Sequence, residues 1–311
     1  MTPLRIAVVG VGHLGQHHAR ILSATDGVTL AAVVDTRIER AREIAAKFGG
    51  EPLADATAIL DRVDAAVVAV PTVSHVAVAR RFIDRGIPVL VEKPLAASLA
   101  EADDLLGAAS ARGVLVAAGH TERFNPAVVA ALPLVANPRF VEVHRIGTFP
   151  ERSLDIDVIF DLMIHDLDLL LASVRSEVMA VEAVGVNVLT PRTDIANARL
   201  KFASGCIANL TASRISRDRV RKARFFQNDS YVSIDFAAQD VEVYRLAGSQ
   251  DGRPAIQGGR LDVAQQEPLL RELEDFVDAV RSGRPAQVTG RAGRDALALA
   301  TRIADAMMVN T

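Results

Sequence analysis

Leu4-Arg5-Ile6-Ala7-Val8-Val9-Gly10-Val11-Gly12-His13-Leu14-Gly15 is the stretch that decides the fold. The apolar run from Leu4 to Val9 predicts a buried strand, and three glycines follow it directly, ahead of a helical pattern from Leu14 to Ala24. In a strand, turn and helix so arranged, each glycine has its own reason. Gly10 permits the tight turn, Gly12 leaves no side chain where a pyrophosphate must touch the backbone, and Gly15 lets the helix approach the sheet. The free N–H groups of the first helical turn, beginning around His13 and Leu14, face the anion. Three glycines alone are a weak sign. Here Asp35 closes the second strand 20 residues after Gly15, where a carboxylate can accept from both ribose hydroxyls of an adenosine. The conjunction predicts a dinucleotide site. Asp35 would repel a 2′-phosphate, so NAD is preferred to NADP, although Arg37 and Arg40 follow closely and could partly reverse that by pairing with the phosphate.

Outward from this unit, short apolar runs alternate with amphipathic stretches, the pattern of parallel strands joined by helical crossovers. The strands are expected at Leu4–Val9, 28–34, 64–70, 87–91 and 114–118, with helices at 14–24, 38–48, 74–85 and 99–112. After Gly119 the texture changes. One helical stretch, 154–172, precedes alternating runs at 178–188, 196–202, 206–213, 223–227, 231–236 and 241–246, with 140–145 an extra strand. No helix separates these runs, so a mostly antiparallel sheet is expected. Residues 248–259 read as a surface loop, and the chain ends in helices at 268–280 and 293–308. The expected class is α/β: a doubly wound parallel (Rossmann) sheet over residues 1–119, binding NAD, and an α+β domain on an open antiparallel sheet over 120–311, binding substrate and forming oligomers.

Composition narrows the classes of function. The 311 residues carry a net charge of −3, which excludes a broadly basic nucleic-acid surface. With no Trp and only two Tyr, the chain also lacks the aromatics that single-stranded nucleic-acid binders stack on. Cys206 is the single cysteine, so neither an internal disulfide nor a cysteine zinc cluster can form, and a reducing, cytoplasmic setting fits. No stretch approaches the ~20 apolar residues of a membrane span, and no cleavage site follows the first apolar run.

Candidate chemistry lies beyond the carboxyl ends of the strands, where open parallel sheets bind ligands. Val91-Glu92-Lys93-Pro94 ends one strand and aims Lys93 at that region, with a surface salt-bridging lysine as the ordinary alternative. A sharp reversal at Lys93-Pro94 would hold the lysine there, so a cis bond is weighed against the trans default. Pro71-Thr72-Val-Ser74-His75 follows another strand and borders the nicotinamide end of the cofactor, or simply starts a helix. In Asp161-Leu-Met-Ile-His165-Asp-Leu-Asp168, spacings of four and seven put Asp161, His165 and Asp168 on one helical face. Such an Asp can orient an imidazole that takes a hydroxyl proton near neutrality. A metal site is the rival, disfavoured because no second His lies in the stretch and hydride transfer needs no metal; a solvated acidic edge is the plain alternative. His120-Thr-Glu-Arg123-Phe-Asn125-Pro126 offers hydrogen-bonding groups to a polyol through Arg123 and Asn125. Arg214, Arg217, Arg219, Arg221, Lys222 and Arg224 form a cluster that can receive a diphosphate, or a solvated strand face.

Together these residues resemble the glucose-fructose oxidoreductase and inositol dehydrogenase (Gfo/Idh/MocA) family over essentially the whole chain. The matches are the glycine turn, Glu92-Lys93-Pro94, and Asp161 with His165 four residues on. The resemblance implies an NAD-dependent enzyme acting on a CH–OH group, with Lys93, Asp161 and His165 catalytic. Many members have Gly between that Asp and His; here the intervening residues are Leu162, Met163 and Ile164. The 120–126, 161–168 and Leu210-Thr-Ala-Ser-Arg-Ile-Ser-Arg segments look like the branch that includes UDP-N-acetylglucosamine 3-dehydrogenases of lipid A precursor synthesis. That branch implies a nucleotide-sugar substrate; a free cyclitol such as myo-inositol is the alternative polyol. Lys93, Arg123, Asn125, Asp161 and His165 are the expected substrate contacts. A redox-sensing NAD-binding regulator is disfavoured, since a sensor needs only the glycine turn and Asp35. The broad sheet face of the second domain suggests a homo-oligomer, a dimer or tetramer.

Overall fold

The computed structural model describes residues 2–149, 156–250 and 253–309. The chain divides into two compact units, Met1–His120 with Leu269–Leu297, and Thr121–Pro268 with Ala298–Thr311. The division is not the single cut expected at 119/120. The physical reason is packing: Leu273, Phe276 and Val277 of the late helix bury their apolar face in the same core as Ile6, Val8, Leu22 and Ile44.

In the first unit, strands β1 (Leu4–Val9), β2 (Val28–Val34), β3 (Glu51–Leu53), β4 (Ala65–Val68), β5 (Val89–Glu92) and β6 (Val116–Gly119) form one sheet. All are parallel, in the order β3-β2-β1-β4-β5-β6. Helices α1 (Gly15–Ala24), α2 (Ile38–Phe48), α3 (His75–Ile83) and α4 (Leu99–Arg112) serve as crossovers. The central strands are near-continuous apolar runs because a doubly wound sheet is covered on both faces; every residue of β4 is buried. α4 starts where Ser98 Oγ accepts from the Glu101 N–H, and ends at Gly113 in the left-handed region. Strand β3 was not expected. It has three residues, one of them Pro52, and lies at the sheet edge, where a missing donor is tolerated and no periodicity can develop.

The second unit is built on an eight-stranded sheet, β7 (Phe140–Ile146), β8 (Val178–Val186), β9 (Ile195–Phe202), β10 (Ile207–Ser213), β11 (Val220–Phe226), β12 (Ser230–Asp235), β13 (Asp240–Gln250) and β14 (Arg253–Arg260). Its order is β14-β13-β12-β11-β7-β10-β9-β8, antiparallel except where β7 and β10 run parallel. Helices α5 (Pro126–Ala131) and α6 (Ile164–Val174) complete it, and α7 (Pro268–Ser282) and α8 (Gly290–Val309) follow. The expected loop at 248–259 is instead the end of β13 and most of β14, with residues 251–252 outside the described set. Its glycines misled: at Gly258 a Cβ would stand 1.9 Å from the Val243 carbonyl oxygen, so glycine is there for close strand approach.

The helix expected over 154–172 also differs. Residues 154 and 155 lie outside the described set, and Ile159–Met163 forms a wide π turn that leads into α6. Exposed Met179, Val184, Val186, Tyr244, Leu246 and Ile256 all lie on strands of this sheet. Among the described residues no helix is long and apolar enough to cross a membrane.

Candidate functional site

The glycine turn sits where the strand order reverses, since β1 lies between β2 and β4. That is the switch point at which such sheets open a crevice. Gly10 has φ +84°, and a Cβ there would stand 2.6 Å from the Ala69 carbonyl oxygen. At Gly15 a Cβ would stand 1.7 Å from the Gly10 carbonyl oxygen. Around Gly12 the opposite holds: a Cβ would meet no atom of the protein within 4 Å. Two glycines are therefore required by the fold and the third leaves an open cradle in front of α1, the fit a pyrophosphate needs. His13 and exposed Leu14 complete the turn, Leu14 standing just before α1.

Asp35 stands at the end of β2, its carboxylate accepting from the Val11 N–H at 3.3 Å and the Arg37 N–H at 3.0 Å. The two arginines considered for a 2′-phosphate divide. Arg40 donates to the Val11 carbonyl at 2.8 Å, to Gln16 at 2.9 Å and to Glu43 at 2.7 Å. Its guanidinium is thus engaged on the protein. Arg37 is largely exposed, 3.6 Å from the Asp35 carboxylate.

At the end of β5, the Lys93–Pro94 peptide is cis. Behind Lys93, Glu92 is buried, and its Oε1 lies 2.8 Å from Nε2 of buried His18 on α1. Its Oε2 accepts from the Lys93 N–H at 3.2 Å. Burial alone would raise the Glu92 pKa, but the His18 hydrogen bond and the nearby charges hold it below the usual carboxylate range. His18 carries no catalytic motif of its own and sequence reasoning missed it; the i+3 spacing from Gly15 places it on the buried side of α1.

His75 opens α3 behind the turn of exposed Pro71 and half-buried Thr72. Its ring lies between two carbonyls, Nδ1 at 2.8 Å from Pro94 O and Nε2 at 2.9 Å from Val70 O, and the neutral ring with its single N–H donates to one of them. The ring thereby sits between the loop after β4 and the loop after β5. Burial pushes its pKa down, against the upward pull of these carbonyls.

In the second unit, Asp161 lies within the π turn and His165 in the first turn of α6, both half-buried. Asp168 does not share their setting. It is buried and pairs with Arg123, Nη1 to Oδ1 at 3.3 Å. The π turn holds Asp161 apart from the regular repeat of α6, whereas His165 and Asp168 both lie within that helix. Asn125 is buried: its Oδ1 accepts from the Ala127 N–H at 3.1 Å, capping α5, and its Nδ2 donates to Phe236 O at 3.0 Å and Glu122 at 3.2 Å. The fold therefore uses the amide that was expected to face substrate. Among the described residues no three His, Cys, Asp or Glu side chains converge as metal ligands.

The arginine cluster also separates. Arg214 is buried and pairs with Asp194 at 2.9 Å, bracing a turn whose Val188, Leu189 and Thr190 N–H groups all donate to Asp194. It is structural. Lys222 and Arg224 pair with Asp235 and Glu142 at 3.2 and 2.8 Å. Arg217, Arg219 and Arg221 remain exposed.

Comparison with known proteins agrees with this geometry. The model of the GFO/IDH/MocA oxidoreductase family, NAD-binding Rossmann fold, matches residues 4–120, and that of the GFO/IDH/MocA C-terminal domain matches 140–229. The chain belongs to the GFO/IDH/MocA family. UDP-N-acetylglucosamine 3-dehydrogenase of Acidithiobacillus ferrooxidans is 40% identical over 305 residues, 97% of each chain. A crystal structure of that enzyme superposes with a TM-score of 0.93 at 39% identity, covering 99% of both chains. Myo-inositol 2-dehydrogenase of Thermotoga maritima is 27% identical over 95% of this chain and 94% of its own. As a GFO/IDH/MocA protein the chain is an NAD-dependent oxidoreductase, and the glycine cradle with Asp35 is the part of the fold suited to that cofactor.

Proposed function

We propose that this protein oxidises the C3 hydroxyl of UDP-N-acetylglucosamine to the 3-keto sugar, a step of lipid A precursor synthesis carried out in the cytoplasm. The observation that carries the reading is the 40% identity, over 97% of both chains, to a UDP-N-acetylglucosamine 3-dehydrogenase. In this reading Lys93, Asp161 and His165 supply the chemistry such an enzyme needs. Bound NAD supplies the acceptor for the hydride that leaves C3. His165 removes the hydroxyl proton, an imidazole nitrogen accepting it as the C–H bond breaks. Lys93 stabilises the alkoxide as it develops and keeps the oxygen in place, and Asp161 orients the reacting groups. Together these steps convert the alcohol to a ketone and leave NADH and a proton.

Gly10, Gly12, His13, Leu14 and Gly15 hold the pyrophosphate and Asp35 the adenosine ribose in this reading. Pro71, Thr72 and Lys93 border the nicotinamide, with buried His75 and Glu92 acting from behind. Arg123 serves the sugar, whereas Asn125 serves by holding Glu122. Exposed Arg217, Arg219 and Arg221 are the cluster members left to meet a diphosphate. In this reading the apolar residues exposed on β8, and on β13 and β14 toward the opposite edge of the sheet, are covered by a second copy of the chain in a homo-oligomer. The experiment is to incubate purified protein and NAD with UDP-N-acetylglucosamine, UDP-glucose and myo-inositol while following NADH. Turnover only with myo-inositol would overturn the nucleotide-sugar reading, and light scattering on the same sample reads the oligomer.

A further inference from the structure

Arg145, at the end of β7, is almost wholly buried yet meets acidic groups from two separate motifs. Its Nε donates to Asp166 Oδ2 at 2.9 Å and its Nη2 to Asp166 Oδ1 at 2.7 Å. Its Nη1 donates to Glu122 Oε1 at 2.8 Å. The guanidinium also lies 5.1 Å from the centre of the Phe236 ring. Side-chain exposure is 5% for Arg145 and 2% for Asp166, so water competes little for these bonds.

We propose that Arg145 is a positioning residue for the dehydrogenase reaction. Through the two-pronged bond to Asp166 it fixes the helical turn that carries His165, and through Glu122 it ties that turn to the Thr121–Phe124 turn that carries Arg123. The inference rests on the reading of His165 as proton acceptor. Asp166 is the next residue along α6, so any rotation of the Asp166 side of the helix swings the imidazole. The π turn over Ile159–Met163 ends one residue before His165's own helical turn begins, and there the backbone departs from the regular ladder that would otherwise set the helix phase. An external brace supplies what the ladder does not. A planar fork on a carboxylate fixes direction as well as distance, which a lysine ammonium cannot do. The brace is itself held: Asn125 Nδ2 donates to Glu122 at 3.2 Å and to the Phe236 carbonyl at 3.0 Å. A second arginine repeats the pattern, Arg123 reaching Asp168 two residues beyond Asp166. Stability alone does not account for such a pair, since a buried ion pair is often no better than apolar side chains of the same volume.

The test is a kinetic cycle of Arg145→Lys and His165→Asn with UDP-N-acetylglucosamine and NAD. Arg145→Lys keeps the charge and loses the fork. Expected is a fall in kcat of roughly 10- to 100-fold with KM little changed, since slight misplacement of a reacting group costs on that order, and an unchanged Kd for NAD. In the His165→Asn background the same substitution should leave the residual kcat unchanged, because there is no imidazole left to place. An equal loss in both backgrounds, as a general structural role would give, overturns the proposal, and so does an unchanged kcat in Arg145→Lys. Wild-type kcat in His165→Asn alone refutes the assignment of His165 and the brace with it, a result distinct from the other two. Should Arg145→Lys fail to fold, Asp166→Asn, which retains one oxygen for the fork, takes its place in the cycle with the same expectations.

Discussion

Replacing the three glycines of the turn by alanine, one at a time, should separate folding from cofactor binding. At Gly15 the added methyl would stand 1.7 Å from the Gly10 carbonyl oxygen, a backbone atom, far inside the roughly 3.5 Å of an ordinary contact. Only a shift of α1 relieves it, an overpacking cost of about 1–3 kcal/mol or more. At Gly10 the methyl meets Ala69 O at 2.6 Å and Val70 N at 2.7 Å. The φ of +84° adds left-handed strain of about 1–2 kcal/mol. The sum for Gly10→Ala is about 2–5 kcal/mol, or roughly 4–20 °C in melting temperature at about 2–4 °C per kcal/mol. At Gly12 the methyl meets nothing within 4 Å, so stability should stay within about 0.5 kcal/mol. The cost appears instead when NAD binds, as the methyl fills the space the pyrophosphate needs. An overpacking penalty of about 1–3 kcal/mol weakens binding by roughly 5- to 150-fold. The assay pairs thermal unfolding without cofactor with titration calorimetry of NAD. A Gly12→Ala protein that binds NAD like the wild type would refute the cradle, and a Gly10→Ala protein that melts like the wild type would refute the steric argument.

Three further outcomes follow from the same geometry. Asp35→Ser should weaken NAD and relatively improve NADP, because the ribose acceptor and the repulsion of a 2′-phosphate vanish together; Kd values for both cofactors check it, and an unchanged ratio removes Asp35 from the site. Lys93→Met and His165→Asn should bind NAD almost normally and lose turnover, by about 100-fold or more for the proton acceptor; near-normal kcat in either variant defeats its role. Burial lowers the His75 pKa in the folded state, so as pH falls below ~6.5 the unfolded chain takes up the proton first. The stability His75 contributes is full above that pH and is lost as pH falls through its depressed folded value. Melting temperatures from pH 8 to pH 5 should therefore drop more steeply for wild type than for His75→Gln, and parallel curves would contradict the burial argument.

What the sequence determined by itself was local. The glycine turn, the Asp at the end of β2, the apolar runs of the parallel strands and the strand-end lysine were all legible, because φ preference, periodicity and chain order are properties of neighbouring residues. Where a local sign had two meanings it misled: the glycines of 248–259 signalled a loop, yet Gly258 serves close strand pairing. The spacing of Asp161, His165 and Asp168 likewise carried no sign of the π turn that holds Asp161, while His165 and Asp168 lie in regular α6. Only the tertiary structure decided which polar and charged groups are spent on the fold. Arg214 left the basic cluster for Asp194, Asn125 became a helix cap, Glu92 found His18 across 74 residues of chain, and Arg145 found Asp166 across 21. A charge taken out of water must be matched by a partner, and topology, not proximity in sequence, selects which partner comes within reach.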